Sequence, residues 1–350
     1  MDILYLVFSK NPAEGKQRII EWIPAYSNSF SSPVDPRRSS SPVAALDKEK
    51  SIDAFWGDMQ ARQEGYSDFK VIALLDGLYQ FLKHSHKNDD LMDKGYHRFE
   101  HSLEVADLAF ITAVMKKYPY QAALEMFVAG LLHDYDPRQA YQAPKVVNTI
   151  GKMRDDGQIV KIIENLGLDM ERIILLIRGT DFPMKEEQLE NIGKSLSGIS
   201  NENIRARTEE QLNLLGLIDK SATYIHLRIT PEESEIRVRG LAKETEVKEE
   251  DMLKGTPEFF KNFVQNDINK LTSVLGSDYK KKWQSIKQHF EDVAGLLKEN
   301  TPSLPKESSS PVARLSEEGI KRLHRSIKPL SKRQLKQFRK RISKREFSGY

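Results

Sequence analysis

An all-α fold is predicted by three features of the sequence. Apolar residues recur three and four apart through residues 71–82, 103–115, 122–132, 159–166, 173–177 and 212–225, the period of helices with a buried face. Pro137, Pro144, Pro183 and Pro231 fall between these stretches, where proline ends or begins a helix. The one strand-like triplet, from Ile236 to Val238, is too short for a sheet.

The elements divide into a body and two kinds of flank. The chain has 350 residues, 39% hydrophobic and 30% charged, enough for a large core and unlike a wholly disordered composition. Residues 27–45 and 301–315 are rich in Ser and Pro, and the string Ser-Ser-Ser-Pro-Val-Ala occurs in both, as expected of two similar flexible linkers. The expected organisation is a short N-terminal segment (1–26), a linker (27–45), one helical domain (46–300), a second linker (301–315) and a basic tail (316–350), helical or disordered.

Composition excludes several chemistries. There is no cysteine, hence no disulfide, no Cys-ligated zinc and no thiol catalysis. No apolar run reaches the ~18 residues that mark a membrane helix. Residues 1–8 are apolar but lack a preceding basic region, and Lys10 ends the run too early for a secretory signal, so a soluble cytoplasmic protein is expected. No GxxxxGK[ST] or GxGxxG occurs, so no phosphate-cradling loop is indicated.

The net charge of +3 hides an asymmetry: residues 321–350 hold twelve Lys/Arg and one acid, a net +11, which leaves −8 for residues 1–320. Leu335, Phe338 and Ile342 add an apolar stripe at helical spacing. The segment 321–345 therefore suits an anionic membrane surface or nucleic-acid phosphates, an acidic protein surface, or plain solvation.

Three sets of residues could carry chemistry. His97 and His101, at i and i+4, are expected on one face of a helix, where two imidazoles can converge on one site. His133 and Asp134 follow the apolar run from Met126 to Leu132, and Asp136 comes next but one. A buried carboxylate there needs a cation. Asp219 interrupts the apolar stretch 212–225, and its neighbour Lys220 points about 100° away around the helix, so it is a poor partner. Imidazole nitrogens and carboxylate oxygens suit zinc, iron or manganese, and carboxylates alone also suit magnesium. Adjacent on the helix, His133 and Asp134 are expected to diverge, which fits a two-metal site better than one ion.

The ordered set His97-x3-His101, His133-Asp134 and Asp219 resembles the HD-domain metal-dependent phosphohydrolases, and more narrowly the catalytic domain of 3′,5′-cyclic-nucleotide phosphodiesterases. Tyr96, His97 and His101 match that group's opening Tyr-His-x-x-x-His, Val105 its following Val, Asp136 the acid after His-Asp, and Thr180-Asp181 its Thr-Asp pair. The resemblance covers roughly residues 70–290. It implies His101, His133, Asp134 and Asp219 as ligands of a first metal (zinc, manganese or iron). Asp134 would also touch a second (magnesium or manganese), and a water between the two ions would attack phosphorus. His97 would be the general acid, with Glu104, Asp136, Thr180 and Asp181 orienting ligands or waters around them. The substrate would be a small nucleotide, with Tyr96 and Phe260 as contacts. The Gln and Phe that grip the purine have no clear match; residues 256–260 and 263–265 are the nearest. Two alternatives share the site: a nucleotidase or nucleoside triphosphatase, and a nucleotide-sensing module attached through its tail. His84 and His86 read as a solvated loop before Asp89 and Asp90, and His226 and His289 read as packing.

Overall fold

The computed structural model describes residues 42–64, 67–87, 95–136, 145–182, 184 and 186–299, with backbone alone for 42–50, 145 and 299. The segments 1–26, 301–315 and 316–350 lie outside the described residues, as do most of 27–45, Asp89, Asp90, Pro137, Pro144 and Pro183. The helices are α1 (Pro42–Glu64), α2 (Phe69–His86), α3 (Phe99–Met115), α4 (Tyr120–Leu132), α5 (Lys145–Asp155), α6 (Gly157–Asn165) and α7 (Met170–Ile177). After a 3-10 turn (Arg178–Thr180) come α8 (Glu186–Ser197), α9 (Glu202–Ile225), α10 (Pro231–Glu244) and α11 (Glu249–Phe259). A π turn (Phe260–Val264), α12 (Gln265–Leu275) and α13 (Ser277–Glu299) complete the order. The fold is all-α: no strand occurs among the described residues, and the triplet 236–238 lies inside α10. α1 starts at Pro42, within the expected linker 27–45. No helix among the described residues is long and apolar enough to cross a membrane.

Helix ends are set by side chains that take up free backbone N–H groups. Asp68 accepts from Val71, Asp156 from Gln158 and Ile159, Asp169 from Glu171, and Asn201 from Ile204. Thr230 and Glu233 form a reciprocal capping box, with Pro231 at the first position of α10, where its missing N–H costs nothing. α2 runs through His84 to His86, so the loop expected there is helical. His86 is buried against Phe99 and Tyr135, at ring distances of 5.6 and 6.0 Å, because the helix carries it back over the core.

The core is built around α3 and α4. Every residue from His101 to Val114 and from Ala122 to Leu132 is buried, the condition of helices surrounded by others. The two run antiparallel and touch at Gly130. A Cβ there would lie 2.8 Å from Ala106 Cα, so a side chain would force the backbones apart. α9 packs beside α4 in the same direction: Gln211 Nε2 donates to Ala122 O at 2.9 Å near one end, and Asp219 meets His133 near the other. Gly216 on α9 lies against the Gly179 carbonyl, which seats the 3-10 turn on that helix.

Candidate metal centre

The start of α3, the end of α4 and the middle of α9 converge. His101 is in the first turn of α3; His133 caps α4, with Asp134 in the following turn; Asp219 comes from α9. His101 and His133 are 0% exposed, Asp134 1% and Asp219 8%, so four ionisable groups share one buried pocket. Asp219 Oδ1 lies 3.0 Å from His101 Nε2 and 3.1 Å from His133 Nε2, and Asp134 Oδ2 lies 3.1 Å from the same His133 nitrogen. His101, His133 and Asp134 form a group able to hold a metal ion. The spacing fits: ligand atoms about 2.1 Å from an ion sit about 3.0 Å apart when adjacent on an octahedron, and about 3.4 Å apart on a tetrahedron.

His133 and Asp134 meet because α4 stops at Leu132. The expectation that adjacent residues diverge assumed a helix continuing through Asp134; the turn beyond the C-cap swings the carboxylate back onto the imidazole.

Hydrogen bonding tests whether this set suits a cation. His133 Nδ1 donates to the Gly130 carbonyl at 2.7 Å, because a carbonyl oxygen can only accept. A neutral His133 therefore presents the lone pair of Nε2 to two carboxylate oxygens. Three acceptors facing one another at these distances repel, unless a proton or a metal ion lies among them. The electrostatics agree. Burial opposes charge on His133, yet the Asp134 and Asp219 carboxylates outweigh it and raise its pKa to about 9. For His101 burial is the larger effect and lowers the pKa, leaving the neutral imidazole that a metal requires.

His97 is not on the helix with His101. α3 begins at Phe99 with Arg98 as N-cap in extended conformation, which leaves His97 in the preceding segment. Its Nδ1 donates to Glu244 Oε2 at 2.8 Å, and Glu244 Oε1 accepts from the Tyr96 N–H. Glu244, at the end of α10, was not singled out in the sequence; it stands 147 positions away with no local signature. Tyr96 is buried as a wedge, its ring 5.1 Å from His97 and 5.2 Å from His101. Burial, and then the Asp219 charge, push its hydroxyl above the ordinary tyrosine value.

The other expected residues are placed as follows. Glu104, one turn beyond His101, is buried with both oxygens on Arg237: Oε1 takes Nη2 at 2.7 Å and Oε2 takes Nη1. Burial would raise its pKa, but Arg237 prevails and holds it at about 2. Its carboxylate thus ties α3 to α10 by a direct ion pair. The buried Asp136 donates its N–H to Thr149 Oγ1 at 3.2 Å. Thr180 Oγ1 donates to Ile177 O at 2.8 Å, and Asp181 Oδ2 accepts from Gln188 Nε2 at 2.5 Å. Phe260, expected as a substrate contact, lies in the core. It is 0% exposed, with Tyr224, Trp283 and Phe290 at ring distances of 4.8, 4.9 and 5.4 Å. Phe263 on that turn is half-buried, 6.5 Å from the exposed ring of Phe182. His226 is buried, its Nε2 3.2 Å from Asp107 Oδ2, and His289 meets Glu235 at 2.8 Å, both as packing residues. Lys220 pairs with Asp267 at 2.9 Å, leaving Asp219 to the two histidines.

Searches against family models, curated proteins and solved structures found no match to the chain.

Proposed function

We propose that the chain is a metal-dependent phosphoester hydrolase of the HD type, acting on a nucleotide in the manner of cyclic-nucleotide phosphodiesterases. The observation that carries this reading is the orientation of His133. Its Nδ1–H is committed to Gly130, so Nε2 is the nitrogen aimed at Asp134 and Asp219, where a metal ion would take the place of its proton, with His101 Nε2 on the same Asp219 oxygen. His101, His133, Asp134 and Asp219 would hold a divalent ion, and Asp134 would also face the second ion that the family resemblance implies. A divalent ion there supplies positive charge to a phosphoryl oxygen and lowers the pKa of water.

The chain's own residues do the rest. His97, with Nδ1–H on Glu244, keeps Nε2 for the substrate. In the protonated form it gives that Nε2 proton to the departing ester oxygen, while Glu244 holds the ring and balances its charge. Tyr96 fills the space between His97 and His101 and keeps bulk water from linking them. With Phe260 in the core, base contacts would fall to other side chains, and half-buried Phe263, between Phe259 at 5.7 Å and the exposed Phe182 at 6.5 Å, is an aromatic candidate.

The test is metal analysis of the purified protein, followed by a panel of cyclic nucleotides, nucleoside monophosphates and triphosphates with added zinc, manganese or magnesium. Bound divalent metal and release of one class of product are expected, and the class identifies the ester. A protein that takes up none of these metals overturns the proposal. One that binds metal and nucleotide tightly without product is the sensing module.

A further inference from the structure

His97 has no secondary structure to hold it, yet a general acid has to be fixed within a fraction of an ångström. What lies against it is one face of α10. Arg237, Gly240 and Glu244 are three and four apart, so they fall within about 60° of one another around the helix. Each meets a different part of residues 95–104, the stretch that carries His97 and His101. Glu244 takes Tyr96 N–H and His97 Nδ1. Gly240 lies under the backbone: a Cβ there would be 3.2 Å from Tyr96 N and 3.3 Å from Gly95 C. Arg237 grips both oxygens of Glu104, one turn past His101.

We propose that Arg237 and Gly240 are positioning residues for the general acid, which with Glu244 make α10 a template fixing His97 relative to His101. This rests on the function proposed above. The logic is mechanical. A carboxylate at a helix end orients an imidazole only as well as the helix itself is anchored, and the buried Arg237–Glu104 pair anchors α10 to the helix that carries His101. Arg237 is 6% exposed and Glu104 2%, so water does not compete for the pair. The missing side chain at Gly240 lets the backbone of Gly95 and Tyr96 rest directly on α10, which sets the depth of His97 against Glu244. None of these contacts needs a metal ion to form.

Gly240→Ala tests the template without removing a polar group. Alanine favours a helix interior by about 1 kcal/mol over glycine, so stability should hold. The new methyl must displace Tyr96 or Gly95 by a few tenths of an ångström. Since a displacement of about 1 Å can cost about 100-fold in rate, kcat should fall about tenfold, with KM and metal content unchanged. In a His97→Ala background the same change should cost nothing further; an equal loss there, or an unchanged kcat, overturns the proposal. A second readout needs no turnover: the nitrogen-correlated NMR spectrum of the His97 ring. The native protein should show the single Nδ1–H tautomer. Gly240→Ala and the pair-deleting variant Glu104→Leu/Arg237→Met should each shift it toward a mixture. If no phosphoester is hydrolysed, the proposed function falls and this spectrum still decides the template, an unchanged His97 signal in both variants overturning it.

Discussion

Glu125 should make the protein lose stability as the pH rises from acid to neutral, and its amide should remove that loss. Glu125 sits in α4 at 2% exposure, beside Gln211 of α9 and Arg172 of α7. Arg172 Nη2 is 2.8 Å from Glu125 Oε2 but out of hydrogen-bond alignment, so the attraction is incomplete. Burial is the largest influence and lifts the carboxyl from 4.5 to about 7, with Arg172 and Arg207 offsetting only part of it. A folded pKa above the unfolded one means that the native state binds the proton more tightly. The stabilisation is therefore full below pH 4.5 and disappears as the pH climbs through about 7. Linkage puts the change between about pH 5 and about pH 8 at about 2.5 kcal/mol. Urea unfolding of the wild type and Glu125→Gln at those two pH values would measure it, because the difference between the proteins isolates this group from every other. The amide keeps the shape and cannot ionise, so its stability should change less over the interval by about that amount. Equal pH dependence in the two proteins would refute the reasoning and mean that Glu125 is charged in the fold.

Four further outcomes follow from the same geometry. His133→Ala and Asp134→Ala should lose bound metal and turnover together, while His97→Ala should keep the metal and slow turnover about 10²- to 10⁴-fold, read by metal analysis beside steady-state rates. Zinc or manganese at about 100 times its dissociation constant should add about 2.7 kcal/mol of stability in thermal or chemical melts, and Asp219→Ala should abolish that gain. Arg237→Met should destabilise the protein by about 3–5 kcal/mol, since it strands the buried Glu104 charge, and Glu104→Leu in the same chain should recover most of it. Gly130→Ala should cost about 1–3 kcal/mol despite its better helix propensity, because its methyl would meet the Ala106 backbone.

Much of the body was legible from periodicity, because burial leaves its mark on composition. The stretches 103–115 and 122–132 are apolar nearly all round, and they became the two helices enclosed on every side. His101 stood out by its spacing from His97, His133 and Asp134 by following an apolar run, and Asp219 by interrupting one, and the fold brings all four together. What local spacing could not give was how helices end. Placing His97 on the helix of His101, letting His133 and Asp134 diverge and leaving His84 and His86 in a loop all mistook the position of a terminus by a few residues. Partners across the chain were equally hidden. Glu244 and Arg237 lie on a polar helix whose contacts with residues 95–104 are set by tertiary packing alone. Phe260 was carried over from a motif match alone, which says nothing of packing, and the fold buries it among Tyr224, Trp283 and Phe290.

The shared direction of α4 and α9 has a consequence for how the pocket comes into being. The same two helices touch at Ala122 and Gln211 and again at His133 and Asp219, so a slip of one turn, about 5.4 Å, would pull both contacts apart at once. An ion that needs donors from α3, α4 and α9 can be captured only after chain segments more than a hundred positions apart have docked in register. Cobalt, whose visible absorption depends on the geometry of its donors, would then colour during refolding only when the last long-range alignment is complete, making the ion a reporter of finished assembly.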